Sequence, residues 1–431
     1  MRDGGRLSAA ITVLGDMAVR HRPAHLALKA WGEGARYAGA KDRAFVSGLV
    51  LDSLRRQRSL AWMMEDASDR ACVLAATRFL WEWPTERVEA AAAEDEHGPG
   101  PLTDAERERL MTPKSCDGAP SPVRGDYPDW LEPTMIRAFG GARAEEGRAL
   151  AARAPVDLRV NTLKADLARV LKVLAPFSAQ SLDATPTAIR IAAAKADQRA
   201  PFAEGVPGFE KGWFEVQDLG SQIAAAAAGP VTGFQVLDFC AGGGGKTLAL
   251  AAAMENTGQL YAYDADAKRL TDTVRRAQRA GVRNLQVRSP IDPQALAGLE
   301  GRMDLVFVDA PCSGSGTWRR RPDAKWRLTP SQLQRRLAEQ DAVLGSASLY
   351  VRPGGRLIYV TCSLFCEENE DRIAAFLLGN PDFTVRCAPA PVVGRLTDAG
   401  FLRLTPRTGG TDGFFVAILE RAAGDGAPIP L

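Results

Sequence analysis

The chain has 431 residues, 46% apolar and 25% charged, with 54 Lys+Arg against 52 Asp+Glu and a net charge of +2. These proportions are those of globular protein and exclude both a histone-like basic protein and an acidic disordered one. No apolar run approaches the roughly 18 residues of a membrane helix, Asp3 and Asp16 interrupt the N-terminal apolar stretch against a signal-peptide reading, and seven scattered cysteines form no disulfide framework. A cytoplasmic, reducing environment and a monomer without membrane contact are expected, and the length suggests two or three domains.

Residues 1–58 carry eleven Lys/Arg and five acids, whereas 65–108 carry twelve acids and four Arg. Ala/Leu-rich apolar positions recur through both at helical spacing, so 1–110 reads as an all-helical domain with a basic face suited to nucleic acid. Pro and Gly break the pattern, and 111–128 reads as a linker. The stretch 129–205 reads as a small α+β unit, with strands at Leu158–Thr162 and Ala188–Ala192 around a helix at Ala165–Leu174. From about Trp213, strands alternate with helices as in a doubly wound parallel α/β sheet. Strands are expected at Gln235–Phe239, Gln259–Tyr263, Asp304–Val308, Arg356–Thr361 and Phe414–Leu419. Helices are expected at Lys246–Met254, Ala267–Ala280 and Pro330–Tyr350, with a Pro353–Gly355 turn before the fourth strand. The α/β domain covers 206–421, and 422–431 reads as a frayed tail.

In such sheets ligands sit beyond the carboxyl ends of the strands. The first strand opens into Cys240, Ala241, Gly242, Gly243, Gly244, Gly245 and Lys246, and Asp264 ends the next strand nineteen residues after the last glycine. A carboxylate at that offset commonly accepts both hydroxyls of a ribose, which implies an adenosine-type cofactor. A phosphate loop would need glycine where Cys240 stands, and a dinucleotide loop a spaced third glycine where Lys246 and Thr247 follow. S-adenosyl-L-methionine, with a ribose and no phosphate, fits best.

Downstream, one strand runs into Asp309-Ala310-Pro311-Cys312 and the next into Thr361-Cys362-Ser363. Consecutive parallel strands bring their carboxyl ends side by side, so both thiols should face one pocket. Cys366 lies four residues past Cys362, but all three His precede residue 100, and no metal site is expected.

DAPCSGSGT, YVTCS, VQDLGSQ and DFCAGGGGKT together resemble the Sun/RsmB-like family of RNA cytosine-5 methyltransferases over roughly 130–420, and PVDLRVNTLK and GTDGFF match it too. Residues 1–110, with RYAGAKDR, resemble the NusB-like helical domain of its bacterial ribosomal members. The resemblance implies a Rossmann-like methyltransferase sheet, RNA as partner, and small-subunit ribosomal RNA as substrate, with transfer RNA as the alternative. A P-loop NTPase and a non-catalytic ribosome-assembly factor are the rivals. It further implies that Cys362 is the nucleophile on carbon 6 of cytosine, that Cys312 assists release of the methylated base, and that Asp309 contacts the base. The cofactor would lie on Cys240–Lys246, Asp264 and Asp309. The family usually has Ala-Pro where Gly242-Gly243 stand, so a looser loop is expected, and Asp292 is the nearest acid for the adenine amino group. Trp318, Arg319, Arg320, Arg321, Lys325, Trp326 and Arg327 follow the Pro-Cys motif. Such cations and aromatics suit phosphates and unstacked bases, so Arg319, Arg320, Arg321, Lys325, Trp326 and Arg327 are expected to bind RNA. The 129–205 unit is expected to add a second RNA surface.

Overall fold

The computed structural model describes residues 1–94, 96–196, 201–389 and 392–424, and the chain divides into two compact units. One comprises Met1–Ala154, Ala193–Ala200 and Thr317–Leu328, and the other Pro155–Ala192, Pro201–Gly316 and Thr329–Leu431.

The first unit is helical. Its opening helix, Asp3–Arg20, buries Leu7, Ala10, Val13, Leu14 and Met17, the spacing of a single helix face. That stripe joins Val46, Leu49 and Val50 of helix Ala40–Arg55 and Leu60, Leu74, Trp81 and Val88 in one core. Ser68 caps helix Asp69–Ala75, and Thr103 with Glu106 forms a capping box on Asp104–Met111.

Two boundaries differ from the sequence reading. The stretch 111–128 is no plain linker: it contains the helical turn Ser121–Gly125 and places Asp126 and Tyr127 in the unit with no exposed surface. Asp126 accepts from Ser59 N and Ser59 Oγ, both at 2.9 Å, so an acid within the expected linker is a buried tie. Helices Glu132–Phe139 and Arg143–Leu150 also belong to this unit, which moves the start of the α+β unit from 129 to Pro155. The tail read at 422–431 lies outside the described residues from 425 onward.

The second unit holds two sheets. The smaller is antiparallel and contains β1 (Val156–Val160), β2 (Gln180–Ser181), β3 (Ala188–Ile191) and β4 (Phe214–Val216), in the order β2-β3-β1-β4. Helix Leu167–Leu174 packs Val170 and Leu174 onto Leu158, Val160, Ile189 and Phe214.

The larger sheet has a parallel body of β5 (Gln235–Asp238), β6 (Gln259–Tyr263), β7 (Leu285–Arg288), β8 (Met303–Asp309) and β9 (Val351–Thr361). Their order is β9-β8-β5-β6-β7, so it reverses at β5. Four further strands, β10 (Phe383–Arg386), β11 (Arg395–Leu396), β12 (Leu402–Leu404) and β13 (Phe414–Arg421), extend the β9 edge, where β13 pairs antiparallel with β9. Helices α1 (Gly245–Ala253), α2 (Ala267–Ala280) and α3 (Pro330–Ser348) follow β5, β6 and β8.

Alternate residues of the central strands enter two cores: Val236, Leu305, Phe307, Ile358 and Val360 one, and Leu237, Val306, Val308, Leu357 and Tyr359 the other. This burial of both faces explains their unbroken apolar runs. The Pro353–Gly355 turn proves to be a bulge within β9. Register passes from Met303↔Val351 to Leu305↔Arg356, so 352–355 stand opposite Asp304 alone. In register, Asp238 lies opposite Phe307 and Asp309 opposite Val360, which brings the carboxyl ends of β5, β8 and β9 to one edge.

Candidate active site

At that edge β5 turns into α1 through the glycine loop. Gly242 and Gly244 have φ of 53° and 83°, left-handed values that favour glycine. A Cβ on Gly244 would stand 2.9 Å from Thr273 Oγ1. The loop expected to be loose is tied at successive peptides. Gly242 N donates to Asp264 Oδ2 at 2.8 Å, and Gly244 N to Ala241 O at 2.9 Å. From α2, Thr273 Oγ1 donates to Gly242 O at 2.8 Å and Arg276 Nη1 to Gly243 O at 2.5 Å. Arg276 is itself held by buried Glu215 of β4 at 2.9 Å. Restraint that the glycines lack is supplied by side chains from neighbouring elements.

Acids ring this loop. Asp264, 5% exposed, also accepts from Asp266 N at 2.8 Å, which fixes its carboxylate at the end of β6. Asp238 is fully buried, and burial pushes its carboxyl up to about 7 against the opposing hydrogen bond from Thr247 Oγ1 at 2.6 Å. Burial, followed by the charges of Asp238, Asp309 and Asp264, drives the Cys240 thiol well above its ordinary range. Cys240 is therefore a neutral wall group.

Asp309 ends β8 and accepts from Lys246 Nζ at 2.7 Å. Burial works against the Lys246 charge, but Asp309 and Cys362 outweigh it, so the ammonium stays protonated above the ordinary lysine value. Cys312 and Cys362 bring their sulfurs to 3.4 Å from each other. The Cys312 thiol is raised well above its usual range, first by the hydrogen bond with Cys362 and then by burial. The site thus sets a permanent cation near Cys362 and a reluctant acid at Cys312.

Residues 225–420 match the model of the 16S rRNA methyltransferase RsmB/F family. A probable ribosomal RNA small subunit methyltransferase B of Synechocystis is 30% identical over 414 residues, covering 88% of this chain and 92% of that one. The chain belongs to the RsmB/F family of 16S rRNA methyltransferases. Ribosomal RNA small subunit methyltransferase B of an Enterobacter strain is 33% identical over 304 residues, 70% of this chain and 68% of its own. In structure, the Pyrococcus horikoshii NSun6 solved with SFG, an S-adenosylmethionine analogue, shares the fold at a TM-score of 0.61 and 21% identity, over 69% of this chain and 99% of its own.

RsmB/F methyltransferases depend on S-adenosylmethionine, and the residues of this member fit that group. The loop Gly242–Gly245 carries no side chain, Gly243 and Gly245 are partly exposed, and the Asp264 carboxylate is hydrogen-bonded to Gly242 N at its edge. A phosphate-binding role for the GGGGKT run fits less well, because Lys246 is already engaged by Asp309. Asp292 stands apart. It is exposed, and its carboxylate accepts from Gln294 N at 2.9 Å in a local turn, with no bond to the glycine loop or Asp264 among the described residues.

The Arg-Trp segment needs the largest correction. Lys325, 1% exposed, donates to Arg55 O at 2.8 Å and Asp126 O at 2.6 Å, and Trp326 Nε1 donates to Leu54 O at 2.7 Å. Leu54 and Arg55 are the last residues of helix Ala40–Arg55, whose final carbonyls lack partners within the helix. These donors supply them, and a cation at a helix C-terminus is also favoured by the dipole. Arg319 is buried as well, and its carbonyl accepts from Arg55 Nη2 at 2.9 Å. Lys325, Trp326 and Arg319 are therefore packing residues of the first unit. Arg320 and Arg327 are half-buried, and Arg327 Nε donates to Asp323. Arg321 is exposed.

Sequence reasoning missed Glu368, a fully buried carboxylate bonded to the residue after each cysteine. It sits within the acidic run Glu367–Glu370, which looks like the solvated start of a helix. It also missed the Glu215–Arg276 tie, because nothing local to either residue marks a partner on another element. Among the described residues no group of three or more His, Cys, Asp or Glu could hold a metal ion, and no helix is long and apolar enough to cross a membrane.

Proposed function

We propose that this protein methylates carbon 5 of a cytosine in small-subunit ribosomal RNA through a cysteine adduct at carbon 6. The supporting observation is the pair of thiols 3.4 Å apart at adjacent strand ends, beside the Lys246–Asp309 pair. Methyl transfer to a nitrogen or oxygen lone pair needs no protein nucleophile, whereas carbon 5 of cytosine is too weakly nucleophilic without one. Two thiols suit a path with an addition and an elimination.

S-adenosylmethionine, when bound, supplies the electrophilic methyl group. Cys362 as thiolate would bond to carbon 6, and the electron pair of the 5,6 double bond would be freed at carbon 5 to bond the methyl carbon as the methyl–sulfonium bond breaks and its electron pair stays on the departing thioether sulfur. Lys246 places its ammonium where charge changes, near Cys362 and hydrogen-bonded to Asp309. Asp309 is the acid we assign to hydrogen-bond the amino or ring nitrogen of the cytosine. Loss of the proton from carbon 5 then restores the double bond and expels the Cys362 sulfur. Cys312 is suited to take that proton as a thiolate, its own thiol proton having first passed to water. Its thiol is held up chiefly by the Cys362 hydrogen bond, and bonding Cys362 to carbon 6 alters that restraint, so Cys312 ionises more readily once the adduct exists.

Asp264 is the residue we assign to the ribose. Arg321 is the exposed cation of the Arg-Trp segment and, with the basic N-terminal helices, our candidate for phosphate contact. The reading is tested by bisulfite sequencing of ribosomal and transfer RNA from cells with and without the protein. A protein-dependent 5-methylcytosine in small-subunit ribosomal RNA is expected. One confined to transfer RNA would overturn the substrate, and none in either RNA would overturn the chemistry.

A further inference from the structure

Beyond Asp309–Val360 the β8–β9 ladder stops, apart from one bond from Ala310 N to Val360 O at 2.8 Å. Cys312 and Cys362 both lie past that point. Something other than the sheet must fix one sulfur against the other.

Glu368 is placed to do so. It lies in the short turn Cys366–Glu368 and has no exposed surface. A buried carboxylate is costly unless its oxygens are hydrogen-bonded, and here four donors converge on it. Oε1 accepts from Ser313 N at 2.7 Å and from Gln340 Nε2 of α3 at 3.0 Å. Oε2 accepts from Ser313 Oγ at 2.5 Å and from Ser363 Oγ. Ser313 directly follows Cys312, and Ser363 directly follows Cys362. One carboxylate therefore grips the residue beside each thiol. Its own position is set by Tyr359 OH, which donates to Glu368 O at 2.7 Å. The same junction is closed by Gly316 N on Cys362 O at 2.9 Å and Leu364 N on Ser315 Oγ at 2.9 Å.

We propose that Glu368 is the positioning residue of the thiol pair, setting the distance between Cys312 and Cys362 through Ser313 and Ser363. The proposal rests on the reading that both thiols serve one cytosine. A carboxylate suits the task because it only accepts, and all four groups aimed at it are N–H or O–H donors.

The test uses the full chain and two readouts. The first is capture of a monosubstituted trivalent arsenical, which binds tightly only when two thiols reach one arsenic atom; Cys362→Ala serves as the control that this pair is the site. The second is the split between kcat and KM for RNA methylation. Glu368→Ala removes every acceptor. It is expected to weaken arsenical capture by at least about tenfold and to lower kcat by about 10²-fold, as for other ångström-scale misplacements. The KM for RNA and the S-adenosylmethionine affinity should stay near wild type, while the melting temperature falls because four buried donors lose their acceptor. Glu368→Gln keeps the side-chain volume and one acceptor oxygen, so a smaller loss on both readouts is expected, and it decides the matter alone should Glu368→Ala fail to fold. Capture and kcat within about threefold of wild type in a folded variant would overturn the proposal. Arsenical capture needs neither RNA nor methyl transfer. A wild-type chain without cytosine-5 activity whose Glu368 variants lose capture would sink the proposed chemistry and leave the positioning intact. Unchanged capture would sink the positioning even where wild type methylates cytosine.

Discussion

Asp309–Cys312 and Trp318–Arg327 are separated by five residues and both look like site material, yet only the first builds the site. Asp309 ends a parallel strand and Cys312 follows it by three residues, so the sheet dictates where this segment goes, although it does not by itself fix the thiol. Their neighbours, Cys362 and Lys246, arrive by the same rule from β9 and α1. The Arg-Trp segment has no such address. Its fate depends on which carbonyls elsewhere need donors, and the end of helix Ala40–Arg55 provides them for Lys325 and Trp326. Residue type suggests what a side chain can do; only its place in a regular element says what it faces.

The sharpest attempt to break this contrast is to remove one thiol at a time. Cys362→Ala is expected to abolish RNA methylation, by roughly 10⁴-fold or more as for other nucleophile deletions, and to form no covalent RNA–protein species on a denaturing gel. Cys312→Ala is expected to accumulate that species, because elimination is slowed while addition is not. The reverse pattern would exchange the two roles. Equal, adduct-free loss in both would show that the thiols do not divide the work.

How much was legible follows from the same contrast. The alternation of strands and helices, the strand ends at Asp238, Asp264, Asp309 and Thr361, and the meeting of Cys312 with Cys362 could be read because each depends on one element and the topology rule linking it to the next. The ties of Glu368 to Ser313 and of Glu215 to Arg276 span 55 and 61 residues, and in a single sequence they are acids and bases among many others. Pro353–Gly355 misled in another way. A Pro-Gly-Gly run serves a turn or a bulge equally well, and only pairing with β8 selects the bulge. Likewise, the glycine loop reads as loose from its own residues, whereas its restraint comes from Thr273 and Arg276 on another element.

Lys325 allows the packing half of the contrast to be checked by pH. Burial pushes its ammonium down to about 7, with Asp126 opposing that fall and Arg56 and Arg55 adding to it. The unfolded chain, with an ordinary lysine near 10.4, holds the proton across the window from 7 to about 10.4 in which the folded chain has lost it. Stability therefore rises as pH climbs through that window, and the penalty of a buried ammonium is fully present below it. The first unit of wild type should gain on the order of 3 kcal/mol relative to Lys325→Met between pH 7 and 10, followed by the urea midpoint of its unfolding. Parallel pH profiles would show Lys325 to be solvated, restoring it to the surface. On the other side of the contrast, Asp264→Ala is expected to weaken S-adenosylmethionine binding by about 10- to 100-fold, the worth of hydrogen bonds to a charged group, with RNA affinity unchanged. Calorimetric titration with the cofactor measures it.

The smallest effect separates neighbours within the segment itself. Arg319 is 4% exposed and Arg321 is exposed, two residues away. If burial decides which cation can meet a phosphate, Arg321→Ala should lower RNA affinity a few-fold and reduce the slope of log K against log salt by about one, without moving the melting temperature. Arg319→Ala should do the opposite, lowering the melting temperature and leaving the salt slope alone. The pair is informative because both changes remove the same charge at nearly the same place in the sequence. Any long-range electrostatic effect on RNA would be shared between them, and only direct contact can make them differ. Equal salt slopes in the two variants would mean that the segment acts on RNA through its summed charge, so that the division between packing and binding residues drawn from burial does not hold there.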